Sequence, residues 1–177
     1  MTKPRLVCDT KNMSAIDEAI AANARFALNY DPTKVSPRPQ KHLAVLTCMD
    51  TRLGLHTLGL KPQDAHIIRN AGGIVTDDAL RSLLTSHYFL GTKEVMVINH
   101  TDCGLMKASE EEMQQTVERE AGMPPSKPVN FHAFKDVDAN VREQLRRLDE
   151  HSWVRSELKI RGFVFDVSTG RLREIER

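Results

Sequence analysis

The sequence predicts an α/β protein: a mainly parallel sheet of about four strands, a short antiparallel strand added near the C-terminus, and helices flanking the sheet. Three observations lead there. Short apolar runs rich in β-branched residues recur along the chain, amphipathic helical segments fall between them, and a turn sequence follows the last run. In order, residues 12–28 (NMSAIDEAIAANARFAL) carry Met13, Ile16, Ile20 and Ala24 at helical spacing, with Asn12 or Ser14 placed to cap the start. Pro32, Pro37 and Pro39 then remove amide donors and favour an extended connection into LAVLTC (43–48), which reads as a buried strand. HIIR (66–69), VMVIN (95–99) and GFVFDV (162–167) read as three more strands.

Between the second and third strands, Thr76 or Asp77 can cap a helix whose inner face is Leu80, Leu83, Leu84 and His87 and whose end is Gly91. Ser109 and Glu112 have capping-box spacing ahead of Met113 and Val117, and Val137, Val141, Leu145 and Leu148 mark a further amphipathic helix. Pro124, Pro125 and Pro128 lie between these helices. A domain boundary there would separate the final strand from its sheet, so a surface loop is expected, and residues 1–177 are expected to form one domain. Thr169 and Gly170 make the turn into the returning strand.

Twenty-five Lys and Arg against 24 Asp and Glu give a net charge of +1, so charge offers no case for a nucleic-acid partner. The basic ending RLREIER is too short and too mixed to change that. No apolar stretch approaches the ~18 residues that span a bilayer, and the first residues lack the apolar core of a signal peptide; a soluble, cytoplasmic protein without a membrane partner is expected. Three cysteines, Cys8, Cys48 and Cys103, cannot build a disulfide framework and remain available as thiols.

His100-Thr101-Asp102-Cys103 places two metal-ligand side chains three residues apart where the chain leaves a strand, and Cys48 ends another strand at the edge where parallel sheets gather ligands. Two thiolates and an imidazole suit zinc and leave one tetrahedral position free. Asp50 and Arg52 follow on the same turn as Cys48. A free Asp50 would take the fourth position and close the site, whereas an Asp50 held by Arg52 would accept a hydrogen bond from water in an open one. Gly72 and Gly73, in RNAGG, permit either close approach to a small ligand or simply a strand-to-helix turn, and they lack the spacing of a dinucleotide loop. Asp102 reads as a turn residue. Cys8, His42, His56, His66, His87, His132 and His151 have no partner at informative spacing and are expected to be packed or exposed; Trp153 is expected to be a core or interface anchor.

TCMDTRL (47–53), IIRNAGG (67–73) and NHTDCG (99–104) resemble, in order and spacing, the motifs of the β-class carbonic anhydrases, and the likeness runs from about the first helix to the final strand. The resemblance implies one zinc ion per chain on Cys48, His100 and Cys103, a catalytic Asp50–Arg52 dyad, and a homodimer or dimer of dimers in which the partner helps wall the pocket. Asn99 stands where the family often has Gly, Met49 replaces a small residue, and the chain is short; these features resemble a compact branch that also holds carbonyl sulfide hydrolases. The expected reaction is attack by zinc-activated hydroxide on the carbon of a small linear substrate. Reversible CO2 hydration is the leading form, and hydrolysis of carbonyl sulfide to CO2 and hydrogen sulfide is the alternative. A reading of a different class is a non-catalytic zinc or thiol-switch protein with a closed site.

Overall fold

The structure, a computed structural model, describes residues 13–177. Cys8 and Asn12 lie outside the described residues. The chain divides after Val35 into two units. In the first, α1 (Ala15–Ala27) starts at Ser14, whose hydroxyl accepts from Asp17 N while the Asp17 carboxylate accepts from Ser14 N, a reciprocal cap. None of the residues of α1 is buried.

In the second unit, strand β1 (Leu43–Cys48) is the apolar run foreseen, with five of its six residues buried. It pairs in parallel with β2 (Ala65–Asn70) on one side and with β3 (Glu94–His100) on the other; β4 (Lys159–Asp166) pairs parallel to β3, and β5 (Arg171–Ile175) pairs antiparallel to β4. The sheet order is β2-β1-β3-β4-β5. Cys48 sits opposite Asn70 and Thr47 opposite Ile98, so β1, β2 and β3 end together and their outgoing turns share one edge.

Helices α2 (Asp77–Leu90) and α4 (Val137–Asp149) cover one face of the sheet, where Ala44, Leu46, Val97 and Val164 meet Leu83, Val141, Leu145 and Leu148. The other face gathers Val45, Ile98, Phe163 and Phe165, with Leu53, Leu58 and Leu60 from the turn after β1. Strand alternation explains the division, since successive side chains point to opposite faces. Thr76 caps α2 and Gly91, at φ 81°, ends it. The inner face of α2 meets the expected one at Leu83, which is buried, and at Leu80, which packs against the core, and departs from it elsewhere. Ala79, Leu83 and Ser86 are buried, and Ser86 binds His66 and Thr92, while Leu84 turns into a surface groove with Tyr88, Phe89 and Trp153. Trp153 is therefore exposed rather than a core residue.

Helix α3 (Glu110–Ala121) has the Ser109–Glu112 capping box. The Glu110 carboxylate accepts from Phe131 N and Ala133 N, tying the exposed proline-containing loop back to the helix. Among the described residues no helix is long and apolar enough to cross a membrane.

Helix α4 approaches β4 closely at Gly162, where a β-carbon would lie 2.5 Å from Val141 Cγ1 and 2.8 Å from Leu145 Cδ1. Gly162→Ala should therefore destabilise the protein by about 1–3 kcal/mol, the usual cost of forcing extra volume into a filled core. The check is a lower urea midpoint at constant slope. An unchanged midpoint would mean that α4 can retreat from the sheet without cost.

Candidate metal centre

The last residues of β1 and β3 are Cys48 and His100, and parallel pairing brings the two strand ends to one edge of the sheet. Beyond His100 the backbone reverses through Asp102, held in the left-handed region at φ 55°, and returns Cys103 to the same point. A ligand atom from each of Cys48, His100 and Cys103 lies within 4.8 Å of the others, and the three residues are 4%, 1% and 2% exposed. His100 Nδ1 donates to the Thr101 carbonyl at 2.8 Å, which leaves the lone pair on Nε2 facing the sulfurs. Nε2 is buried without a hydrogen-bond partner. Buried polar atoms are nearly always paired, so this nitrogen, with two sulfurs beside it, has the arrangement of a metal-ligand set; two soft sulfurs and one imidazole fit zinc.

The charges agree with that fit. Hydrogen bonding from the Cys103 thiol, working against burial and aided by His100 and the backbone N–H groups of Asp50 and Gly72, lowers the pKa of Cys48 to about 4. Sharing with Cys48, together with burial, pushes the Cys103 thiol up. Burial opposes a charge on His100, but Cys48, the Thr101 carbonyl and Asp50 outweigh it and raise its proton affinity. The cluster thus concentrates negative charge and shared protons that a divalent cation would replace.

Asp50 lies beside this group, its Oδ2 3.8 Å from His100 Nε2. Arg52 holds both carboxylate oxygens: Nε donates to Oδ1 at 3.0 Å and Nη2 to Oδ2 at 2.8 Å, and Arg52 N also donates to Oδ1. The guanidinium keeps the Asp50 carboxyl well below the usual carboxylate range. Arg69 fixes the main chain beneath, donating to the carbonyls of Cys48 and Asp50.

Sequence reasoning missed a second anchor: Asp102 accepts from Arg52 Nη1 at 3.0 Å and pairs with Lys107. Its position between His100 and Cys103 was the available signal. It also missed the apolar wall formed by Leu105, Met106, Met113, Phe131 and Phe134 beside the two cysteines, since Phe131 and Phe134 come from a loop whose path no periodicity reveals. Gly72 and Gly73 are buried at φ 79° and 65°, and Gly72 N donates to Cys48 Sγ at 3.3 Å. Among the described residues the other histidines are not members of this group; His66, for instance, bonds Ser86 and the Pro37 carbonyl.

The family model described as carbonic anhydrase matches residues 43–172. The chain is 38% identical over 164 residues to beta-carbonic anhydrase 1 of Mycobacterium tuberculosis, covering 92% of this chain and 99% of that protein. It is 36% identical over 182 residues to a carbon disulfide hydrolase of Saccharolobus solfataricus, covering 90% of this chain and 88% of that one. Among solved structures, a carbonic anhydrase from Streptococcus mutans superposes with a TM-score of 0.85 at 37% identity, over 93% of this chain and 99% of that one.

Stripped of metal and reloaded, the protein should hold about one zinc ion per chain. Elemental analysis should find the ion lost from Cys48→Ser, His100→Ala and Cys103→Ser and retained by Asp50→Ala and Arg52→Ala. Loss of zinc from Asp50→Ala would make that carboxylate a ligand.

Proposed function

Because the chain belongs to the β-class carbonic anhydrase family, we propose that it catalyses the reversible hydration of CO2 to bicarbonate at the centre formed by Cys48, His100 and Cys103. The observation that carries this reading is the meeting of two buried sulfurs and an unpartnered imidazole nitrogen beside a carboxylate gripped by arginine. Zinc, when bound there, supplies the Lewis acidity that makes water a nucleophile at neutral pH.

The chain's own residues do the rest. Asp50 Oδ2 accepts one hydrogen bond from Arg52, so it keeps a lone pair with which to accept from the attacking water and orient it. Arg52 holds Asp50 ionised and engaged on both oxygens, so that it stands beside the ligand group without joining it, and Asp102 steadies Arg52 from its other side. Leu105, Met113, Phe131 and Phe134 offer an apolar surround suited to an uncharged linear substrate, and the Gly72–Gly73 turn lies against Cys48. The proton released on hydration leaves to solvent.

Similarity to carbon disulfide hydrolases favours a second reading, hydrolysis of a sulfur analogue such as carbonyl sulfide, in which the same residues act on a longer linear molecule. Discrimination would then rest on pocket width. The reading takes residues 1–177 as one functional domain acting as a homodimer or dimer of dimers; the exposed Tyr88, Phe89 and Trp153 along one groove support association.

Turnover of zinc-loaded protein with CO2 and carbonyl sulfide, side by side and with Cys48→Ala as control, tests the assignment. CO2 should be hydrated, and Asp50→Ala should lower kcat/KM by about 10²–10⁴-fold with zinc retained. Faster sulfide release than CO2 hydration would make the protein a carbonyl sulfide hydrolase. Failure on both substrates with zinc bound would leave a closed zinc or thiol-switch protein.

A further inference from the structure

Helix α4 carries two polar residues on its buried side, Asn140 (8% exposed) and Gln144 (1%), and they join Asn99 (0%), the residue before His100 in β3. The three side chains form a continuous run of amide hydrogen bonds. Val75 N donates to Gln144 Oε1 at 2.8 Å, Gln144 Nε2 to Asn140 Oδ1 at 2.9 Å, and Asn140 Nδ2 to Asn99 Oδ1 at 2.8 Å. Asn99 Nδ2 then donates to the carbonyls of Gly72 and Gly73 at 2.7 and 3.2 Å. Both ends fix the polarity of the run: a backbone N–H at one end demands an oxygen, and two carbonyls at the other demand an amide nitrogen, so each amide has one orientation that satisfies its neighbours.

The run ends on a turn that touches a metal-ligand candidate. The glycines lie in the left-handed region, and Gly72 N donates to Cys48 Sγ at 3.3 Å. A β-carbon on Gly73 would stand 2.9 Å from Asn99 Nδ2 and 3.0 Å from Cys48 N, so the turn has no slack against either. An apolar inner face on α4 would fill the same space without the demand that every buried amide be paired.

We propose that Asn99, Asn140 and Gln144 are positioning residues: they hold the Gly72–Gly73 turn against Cys48, so that α4 sets the placement and electron donation of a zinc ligand it does not touch. An N–H bonded to a ligating sulfur draws charge from it, and groups behind a ligand commonly alter metal affinity by about 10–100-fold. The inference rests on the zinc reading and extends it to residues outside the ligand set.

Two variants of the full chain test it. Asn140→Asp keeps the shape but sets an acceptor opposite Asn99 Oδ1; Asn140→Ala removes the link and, at the edge of a surface cleft, leaves a space that water can enter. Each is read by circular dichroism and thermal melting, by zinc affinity in competition with a chromophoric chelator, and by the thiolate-to-metal charge-transfer absorption after Co(II) substitution. The expected result is a folded protein with zinc affinity lowered about tenfold and a shifted absorption band. A purely structural role would lower the melting temperature and leave affinity and band unaltered in the folded protein, which would overturn the inference. Wild-type protein that binds neither Zn(II) nor Co(II) would overturn the zinc reading itself, and the inference with it.

Discussion

Parallel pairing of β1 with β3 is the constraint on which the rest of the molecule depends. It brings Cys48 and His100, far apart in sequence, to the same edge of the sheet, and the left-handed step at Asp102 adds Cys103. Burying such groups without partners is costly, and the surroundings show the compensation. A backbone amide serves Cys48, a backbone carbonyl fixes the tautomer of His100, and the neighbouring Cys48, together with burial, pushes the Cys103 thiol towards its neutral form. The cluster is a chemical demand created by the fold, and the turns after β1, β2 and β3 are shaped around it.

A second ring of interactions turns that cluster into a site with direction. Arg52 lies between Asp50 and Asp102, so its fork is committed on both sides, and Lys107 neutralises part of the charge on Asp102. Asp50 is thereby held close to His100 Nε2 without hydrogen-bonding to it. Arg69 draws the carbonyls of Cys48 and Asp50 onto β2, which stiffens the segment joining a ligand candidate to the carboxylate. The whole assembly works by orientation, with most of its hydrogen bonds spent on fixing the direction of a few atoms.

Much of this was legible from local features. The strand at LAVLTC, the caps at Ser14, Thr76 and Ser109, and the Cys and His residues at strand ends all follow from patterns within a few residues, and the structure has them there. What escaped depended on distant partners. Asn140 and Gln144 lie on the apolar side of α4, where polarity looks misplaced until Asn99 and Val75 are seen opposite. Leu84 matched the helical period but lost the inner position to Ser86, whose hydroxyl has partners in half-buried His66 on β2 and buried Thr92 beyond Gly91. Asp102 was read as a turn residue and is one, yet its side chain also reaches across to Arg52.

The distribution of the ligand candidates along the chain has a consequence for biosynthesis. Cys48 is made before His100 and Cys103, and β4, which flanks β3 and pairs Phe165 with His100, is made after all three. The three ligand candidates span more than fifty residues, so a growing chain has no local peptide that can capture zinc as a zinc finger does. Metal loading must follow assembly of the sheet, and a newly made molecule has to protect two neighbouring thiols from oxidation until folding has closed around them.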